Sequence, residues 1–307
     1  MNLNLTQMEY IKAVAELSSF SKAAQVCGVS QPTLSNAVAQ FESEAGAPVF
    51  KRTTRTVALT SFGEHILSHI KEILDSKEDL STAIDLFMNP EHKILKIGVS
   101  TLIKFQLVKT MIDPYMRSNP HIDFVFKECG REDLLTRLES ENLDFIFTLR
   151  TEQKQMYRKI PFYKESLYYI PREVEPNGSQ SQNGSICVKE LGGDTFVMGP
   201  EVCGLADATR NVFRNNGVEL QEYRGKAQTY GIIEEWAELG IGSAILPKGK
   251  LTMLHDRAKE LHDNSDEPVR LVYEVVWNKY TERHKHIKDF VFYLNKAVPK
   301  LLESMEV

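Results

Sequence analysis

The feature of the sequence that most constrains its fold is a helix start at Ser30, just after a glycine turn. Serine is a favoured N-cap residue, and Pro32 fits the first turn of the following helix. Gly28 supplies the left-handed conformation that ends a preceding short helix, which we predict over residues 21–27. Apolar residues then recur at positions i, i+4 and i+7 and predict one buried stripe, Leu34, Val38 and Phe41. The pattern predicts two helices joined by a tight turn.

The face of the second helix opposite this stripe is short, polar and uncharged. At 100° per residue it carries Pro32, Thr33, Asn36 and Gln40. Two helices joined by a glycine-containing turn form a helix-turn-helix, and the second helix of that motif enters the DNA major groove. The polar face is therefore the candidate surface for reading base pairs.

Two short strands are predicted after the second helix, over residues 49–52 and 56–59. They would form a hairpin, or wing, beside the helix-turn-helix. The wing carries three basic residues that we expect at phosphates or in the minor groove, Lys51, Arg52 and Arg55.

Charge alone does not separate a DNA-binding module from a protein-binding one. Residues 1–60 contain five basic and four acidic residues, and the whole chain has a net charge of −5. A basic surface is the usual electrostatic signature of a nucleic-acid partner. On composition, three small helices and a hairpin are equally compatible with a protein-interaction module.

Four sequence blocks, in order and in spacing, resemble the DNA-binding domain of the LysR-type transcriptional regulators. They are Ser19-Phe-Ser-Lys-Ala-Ala24, Val29-Ser-Gln-Pro-Thr-Leu-Ser35, Pro48-Val-Phe-Lys-Arg52 and Leu59-Thr-Ser-Phe-Gly-Glu64. The resemblance implies a winged helix-turn-helix over residues 1–60 and double-stranded DNA as its partner. With Gln40 from the helical face, the expected DNA-binding residues are Gln31, Pro32, Thr33, Ser35, Asn36, Gln40, Arg52 and Arg55. Asn36 stands where many members of the family carry Arg or Lys, and asparagine pairs with adenine through two hydrogen bonds.

A long helix is predicted over residues 61–89. Steps of four and three from Ile66 select a coiled-coil seam of six apolar residues and one lysine, Ile66, Ile70, Ile73, Lys77, Leu80, Ile84 and Phe87. The alternative is an ordinary amphipathic helix packed on its own domain. We predict a dimerisation helix that resembles the family's linker helix and makes the protein a homodimer or a homotetramer. Asn89-Pro90 ends it.

Residues 90–307 change to alternating strands and helices, which is typical of an α/β domain with a mostly parallel sheet. The predicted strands are 94–99, 122–127, 144–148, 168–170, 195–198, 219–224, 241–246 and 269–277. The predicted helices are 102–117, 133–140, 205–215, 229–239 and 281–302. The polar stretch 175–185 is predicted to be an exposed loop.

This half resembles the effector-binding domain of the same family, which has two lobes of the periplasmic-binding-protein type. Glu128, Leu134, Leu138, Leu143 and Asp144 keep the spacing of a first-lobe motif, and Leu239-Gly-Ile-Gly-Ser-Ala-Ile-Leu-Pro247 matches a second-lobe motif. The resemblance implies one lobe from residues 92–167 and 268–307 and the other from 168–267.

Ligands of open α/β sheets bind beyond the carboxyl ends of the strands, where helix N-termini offer free N–H groups. Nine residues fall there, Ser100, Thr101, Cys129, Thr148, Arg150, Gly199, Cys203, Gln228 and Thr229. Hydroxyls, amides and helix dipoles favour a small anionic or carboxylate effector in the cleft between the lobes. The alternative roles are structural, since Ser and Thr before helices often act only as N-caps and Arg150 could pair with a neighbouring acid.

Three other functions compete with an effector-switched regulator. Cys203 or Cys129 at the cleft would permit thiol-based redox sensing, which requires an exposed thiol of low pKa. Cys203 as a nucleophile would make the second half an enzyme, but no local signature supplies its base, and we predict no enzyme. A ligand-binding module without a DNA function is the third alternative.

The remaining sequence features narrow the class of protein. No run approaches about 18 consecutive apolar residues, and the N-terminus lacks the basic and apolar regions of a signal peptide. The four cysteines form no Cys-x-x-Cys pair, and no nucleotide or metal motif is present. We therefore expect a cytoplasmic protein without membrane partner, metal or cofactor, and RNA polymerase as a further partner.

Overall fold

The structure is a computed structural model that describes residues 4–52, 57–88, 93–150, 154–172, 184–199, 204–252 and 257–305. The chain divides into two compact units, Met1–Glu91 and His92–Val307. Each unit has its own buried apolar core. Among the helices of the described ranges, none is long and apolar enough to cross a membrane.

The first unit is a small helical domain with a two-stranded hairpin. Its core contains Ile11, Val14, Leu34 and Val38, all fully buried, so the predicted stripe on the second helix of the motif faces inward. The elements in order are α1 (Leu5–Leu17), α2 (Phe20–Val26), α3 (Gln31–Ala45), β1 (Phe50–Arg52), β2 (Val57–Leu59) and α4 (Ser61–Met88).

The hairpin is fixed to the helices by polar contacts that end on its first strand. Glu42 of α3 accepts the N–H groups of Val49 and Phe50 at 2.8 and 3.1 Å. Thr60 accepts the N–H of Gly63 at 2.9 Å and so caps α4. A Cβ at Gly63 would collide with the carbonyl oxygen of Val49, so the close approach of α4 to the hairpin requires glycine.

Helix α4 contains 28 residues, which corresponds to a length of about 42 Å. Its first half packs on its own domain, where Ile70 and Leu74 are buried in the core with α1–α3. Its second half leaves large apolar residues exposed, among them Leu80, Ile84 and Met88. The first half therefore behaves as an amphipathic helix on its own domain, and dimerisation through the exposed second half stays a prediction.

The second unit is α/β, as expected, and contains an eight-stranded sheet in the order β4-β3-β5-β12-β6-β11-β7, with β10 also paired to β6. Helices α5–α9 pack with it, and β8 and β9 form a separate parallel pair. The strands are β3 (Lys93–Ser100), β4 (Ile122–Cys129), β5 (Phe145–Leu149), β6 (Tyr157–Ile170), β7 (Ser185–Cys187), β8 (Thr195–Met198), β9 (Gln221–Lys226), β10 (Ala244–Pro247), β11 (Lys259–His262) and β12 (Arg270–Asn278). The helices are α5 (Phe105–Ser118), α6 (Arg131–Glu139), α7 (Leu205–Asn215), α8 (Tyr230–Glu238) and α9 (Lys285–Met305).

The long strand β6 joins two lobes. It pairs with β12 as far as Ser166 and with β10 from Leu167 onward. We call β3, β4, β5, β12, α5, α6 and α9 the first lobe, and β7–β11, α7 and α8 the second lobe. The expectation of a mostly parallel sheet was wrong, because β6 pairs antiparallel with β10, β11 and β12.

Candidate DNA-binding face and effector cleft

Helix α3 presents a polar face whose orientation is set by its N-cap and its buried side. Ser30 accepts the N–H of Thr33 at 3.3 Å, and the two hydroxyl oxygens lie 2.7 Å apart. Because Leu34 and Val38 on the other side are fully buried, the helix is fixed about its own axis. The side of α3 opposite Leu34 and Val38 is therefore held toward solvent, in the first turn and again one and two turns later.

The predicted DNA-binding residues of α3 share this face. Ser35 is half-buried. The other five residues are exposed, Gln31, Pro32, Thr33, Asn36 and Gln40. The Gln40 amide donates to Glu44 Oε1 at 3.2 Å, which occupies part of its hydrogen-bonding capacity. The Asn36 amide has no side-chain hydrogen bond within the described part of the chain. An amide with donor and acceptor both available can make the two bonds that adenine offers.

The wing residues are described only in part. Lys51 lies exposed on β1, opposite Ala58 of β2. The backbone of Arg52 belongs to the same strand and pairs with Val57. Arg55 lies outside the described residues. Lys51 and Arg52 are therefore on the hairpin that Glu42 ties to the end of α3.

The carboxyl ends of the parallel strands β3, β4 and β5 lie together, as the topology predicts. Ser100 at the end of β3 is in register with Cys129 at the end of β4, and Thr101 is half-buried. The Ser100 hydroxyl accepts the N–H of Leu102 at 3.3 Å, which is a local bond in the turn between β3 and α5. Burial, and then Asp133, which accepts a hydrogen bond from the thiol, raise the pKa of Cys129 to about 12. The thiol at this edge is therefore protonated near neutral pH.

Thr148 and Arg150 at the end of β5 lie in different surroundings. The Thr148 hydroxyl is buried and has no hydrogen-bond partner among the residues that the structure describes. Arg150 is largely exposed, and its Nε lies 3.5 Å from Oε1 of the buried Glu274. Thr148 thus offers a polar atom that nothing described satisfies, whereas the guanidinium of Arg150 already has an acidic neighbour.

Arg131 places a positive charge where the two lobes meet and is not among the residues predicted from the sequence. A Cβ at Gly204, the N-cap residue of α7, would lie 3.1 Å from Arg131 Cδ and 3.4 Å from Leu149 Cδ1. The Nε of Arg131 is buried and without a hydrogen-bond partner in the described ranges. The sequence contained one signal for Arg131. It is a cation in the first turn of α6, where the helix dipole favours anions, so its position there is unusual.

The second-lobe candidates are distributed around two helix starts. Gly199 follows β8, and a Cβ there would lie 2.9 Å from Ile233 Cδ1. Thr229 caps α8 by accepting the N–H of Ile232 at 3.3 Å, and Gln228 beside it is exposed. Cys203 lies outside the described residues. The structure thus shows Thr229 as a helix N-cap, which was the alternative to a contact with the effector.

Known proteins share both units of this molecule, which have the folds of a DNA-binding regulator with a ligand-binding domain. Residues 5–64 match the bacterial regulatory helix-turn-helix protein, lysR family, and residues 89–299 match the LysR substrate binding domain. The chain belongs to the LysR family of DNA-binding transcriptional regulators.

Individual relatives are distant but similar along most of their length. The HTH-type transcriptional regulator CbbR of Rhodospirillum rubrum is 24% identical over 250 residues, 81% of either chain. The DNA-binding transcriptional dual regulator OxyR of Escherichia coli K12 is 24% identical over 249 residues, 80% of this chain and 79% of OxyR. Full-length CbnR, in a complex with its target DNA, is 16% identical with a TM-score of 0.52, covering 96% of this chain and all of CbnR. At 16% identity, the structural likeness shows the fold.

Proposed function

We propose that this regulator reads operator DNA with the polar face of α3, binds it as a dimer of dimers, and is switched by a small anionic effector held between the lobes. Arg131 is the observation that carries the effector class. Its Nε has no hydrogen-bond partner among the described residues, and a buried guanidinium nitrogen is costly unless another group satisfies it.

Three features at the cleft favour a negative charge. Arg131 contributes a positively charged guanidinium whose planar fork suits carboxylates and phosphates. Gly130 and Gly204 precede α6 and α7, and neither helix has a side-chain N-cap. In the described ranges no N-cap side chain accepts from the first-turn N–H groups of these helices, which also carry Glu132, Asp133 and Asp207; an anion can supply the missing acceptor. The Thr148 hydroxyl, unsatisfied among the described residues, adds a further donor.

The lobes explain how such an effector would act on DNA binding. A ligand shifts a conformational equilibrium only as far as its affinities for the two states differ. Arg131 belongs to the first lobe and Gly204 to the second, so an anion bound by the Arg131 guanidinium and by the first-turn N–H groups of α7 would contact both lobes. Its affinity would then depend on how the lobes are oriented, which is the requirement for a switch.

Replacing Arg131 with methionine is expected to abolish anion binding while keeping the fold. Thermal unfolding of the full chain is measured with acetate, succinate, citrate, salicylate and phosphate. A bound anion at a hundred times its Kd stabilises by about 2.7 kcal/mol, which raises the Tm by about 4 °C or more. We expect at least one anion to do so in the wild type and in the control Arg117→Met, an exposed arginine on α5, but not in Arg131→Met. If none of the anions stabilises the wild type, or if Arg131→Met keeps the whole shift, the effector class is wrong.

Replacing Asn36 with alanine is expected to remove base preference at one position of the operator. The loss is about 1–3 kcal/mol, because the two hydrogen bonds to the correct base are removed while contacts to phosphates remain. The loss of base preference is measured by fluorescence anisotropy, with a set of duplexes that carries each base in turn at each position of the operator. In the control Lys51→Ala, all duplexes are expected to bind more weakly by the same factor, with a salt slope reduced by about 1. Equal losses on every duplex for Asn36→Ala would remove Asn36 from the readout.

A further inference from the structure

A half-buried histidine at the end of β11, in the second lobe, lies between two carboxylates. His262 contacts Asp266 Oδ1 through Nδ1 at 3.0 Å, and its Nε2 lies 3.6 Å from Oε2 of Glu260. Leu261 between Glu260 and His262 is fully buried, so the two polar side chains lie on the opposite, outer face of the strand. A separation of 3.6 Å is too long for a hydrogen bond. The buried Nε2 therefore has no hydrogen-bond partner among the residues that the structure describes.

The two nitrogens of the His262 ring have different roles in this arrangement. In the tautomer that donates from Nδ1 to Asp266, the lone pair is on Nε2. Histidines that bind metals commonly donate their other ring N–H to a carboxylate in this way. A nitrogen and an oxygen ligand of tetrahedral zinc, each about 2.1 Å from the ion, lie about 3.4 Å apart. The 3.6 Å between Nε2 and Glu260 Oε2 is close to the distance that a zinc ion spans.

Cys187 offers a third ligand from the neighbouring strand. Strands β7 and β11 are parallel, and Cys187 is in register with His262. Residues paired in this way lie about 4.8 Å apart and point to the same face of the sheet. The Cys187 thiol donates to the carbonyl oxygen of Asp263, the residue after His262, at 3.2 Å. Within the described ranges no three side chains of this type already surround one point, so a turn of Cys187 about its Cα–Cβ bond completes the set.

The turn after β11 fixes Asp266 beside His262. Asp263 Oδ1 accepts the N–H groups of Ser265 and Glu267 at 2.8 and 3.1 Å. The N–H of Asp266 donates to the carbonyl oxygen of Asp263 at 3.1 Å. Asp266 has a φ of 63°, a left-handed conformation that aspartate tolerates better than most residues. The carboxylate that contacts the His262 ring is therefore held by a closed, hydrogen-bonded turn.

We propose that Cys187, Glu260 and His262 form a zinc site on the second lobe. Asp266 orients the histidine, and water takes the fourth position. Thiolate, imidazole and carboxylate are all ligands that zinc accepts in tetrahedral sites. On binding, the Cys187 thiol loses its proton to solvent, as does His262 where Nε2 is protonated, and no electron is transferred.

The zinc ion would tie an edge of the sheet to its neighbour. Strand β7 has three residues and lies at the end of the sheet, where it pairs with β11. An ion between these two strands would close the long segment of chain that separates them, and such links stabilise a fold. No sequence motif indicates the site, because its ligands come from two strands that only the fold places side by side.

The test is a titration of the full, reduced chain with Co²⁺ as a spectroscopic substitute for Zn²⁺. Thiolate bound to Co²⁺ gives a charge-transfer band in the near ultraviolet, and tetrahedral coordination gives intense bands in the visible. We expect both to saturate at one Co²⁺ per chain and to disappear when Zn²⁺ is added. Cys187→Ser is expected to lose the charge-transfer band and to bind more weakly through the two remaining ligands.

The other ligands are tested by variants of similar size and polarity. Both His262→Gln and Glu260→Gln are expected to raise the Kd for Zn²⁺ about tenfold or more. Asp266→Asn removes only the carboxylate that orients the ring and is expected to raise it about 10–100-fold. Circular dichroism of the metal-free variants shows whether they are folded, and either ligand variant decides the point if the other does not fold.

Two controls exclude metal bound elsewhere on the chain. His65 and His69 are exposed on α4 with ring centroids 5.7 Å apart, and histidines four residues apart on a helix can share a metal. The double variant His65→Gln/His69→Gln and the variant Cys129→Ser are both expected to keep the charge-transfer band.

Three results would overturn the zinc site. The first is the absence of a charge-transfer band that saturates at one ion per chain, which would leave His262 simply as a partner of the two carboxylates. The second is a band that survives in Cys187→Ser or is lost in either control. The third is an unchanged Kd for Zn²⁺ in a folded His262→Gln or Glu260→Gln variant. None of these measurements involves DNA or the anions of the cleft, so the outcome is independent of the function proposed above.

Discussion

Replacing Ile84 with glutamate is expected to lower the affinity for an operator with two half-sites at least 100-fold. Ile84 and Leu80 are 55% and 61% exposed on the second half of α4, and Ile73 and Met88 extend the same side of the helix. Four large apolar residues exposed in one row on a helix indicate a helical partner. A charge in that row would separate the two copies, and the gain from binding both half-sites together, about 10²–10⁴, would be lost.

Sedimentation velocity and a gel-shift series measure the two consequences on the same sample. Ile84→Glu is expected to sediment as a smaller species and to bind a single half-site as tightly as the wild type does. The control Ser68→Glu adds the same charge to an exposed position of α4 that lies, at 100° per residue, on the other side of the helix. Ser68→Glu is expected to behave like the wild type. An Ile84→Glu protein that keeps its size and its operator affinity would mean that this row does not form the interface.

The sequence predicted the first unit well because its determinants are local. The N-cap at Ser30 and the buried stripe from Leu34 to Phe41 both act within one helix, and α3 begins at Gln31 as that cap requires. The seam on α4 was less well predicted. A repeat of four and three identifies apolar positions but not what covers them. The predicted seam therefore included both Ile70, which is buried in its own domain, and Leu80, which is exposed.

Features that join distant segments could not be predicted in the same way. Residues 157–167 of β6 were not predicted as a strand, because Pro161 interrupts the segment and its charged residues stand in adjacent pairs, which breaks the alternation expected of a strand. The position of Arg131 against Gly204 requires two lobes to meet. Helix and strand patterns describe one element at a time, so contacts of this kind appear only once the elements are packed.

The thiol of Cys129 is expected to react with iodoacetamide about 1000-fold more slowly in the folded chain than in the same chain unfolded in urea. Burial is the largest cause and Asp133 the next, and together they raise the pKa from 9.0 to about 12. Only the thiolate is nucleophilic, and three pKa units leave about a thousandth of the thiolate at pH 7.5. Because the shift is upward, the native rate should keep rising with pH toward 12, whereas the unfolded chain should level off above about pH 9.

Peptide-resolved mass spectrometry follows each cysteine separately, so the same experiment also reports on Cys203, the other cysteine proposed for redox sensing. The variant Asp133→Asn removes the second cause of the shift but not the first. Its Cys129 is expected to react faster than that of the wild type, yet still much more slowly than in urea. A sensor thiol must be a thiolate at neutral pH, and the surroundings of Cys129 oppose that state. Equal rates for folded and unfolded chains at Cys129 would reverse this argument and restore the redox hypothesis at the cleft.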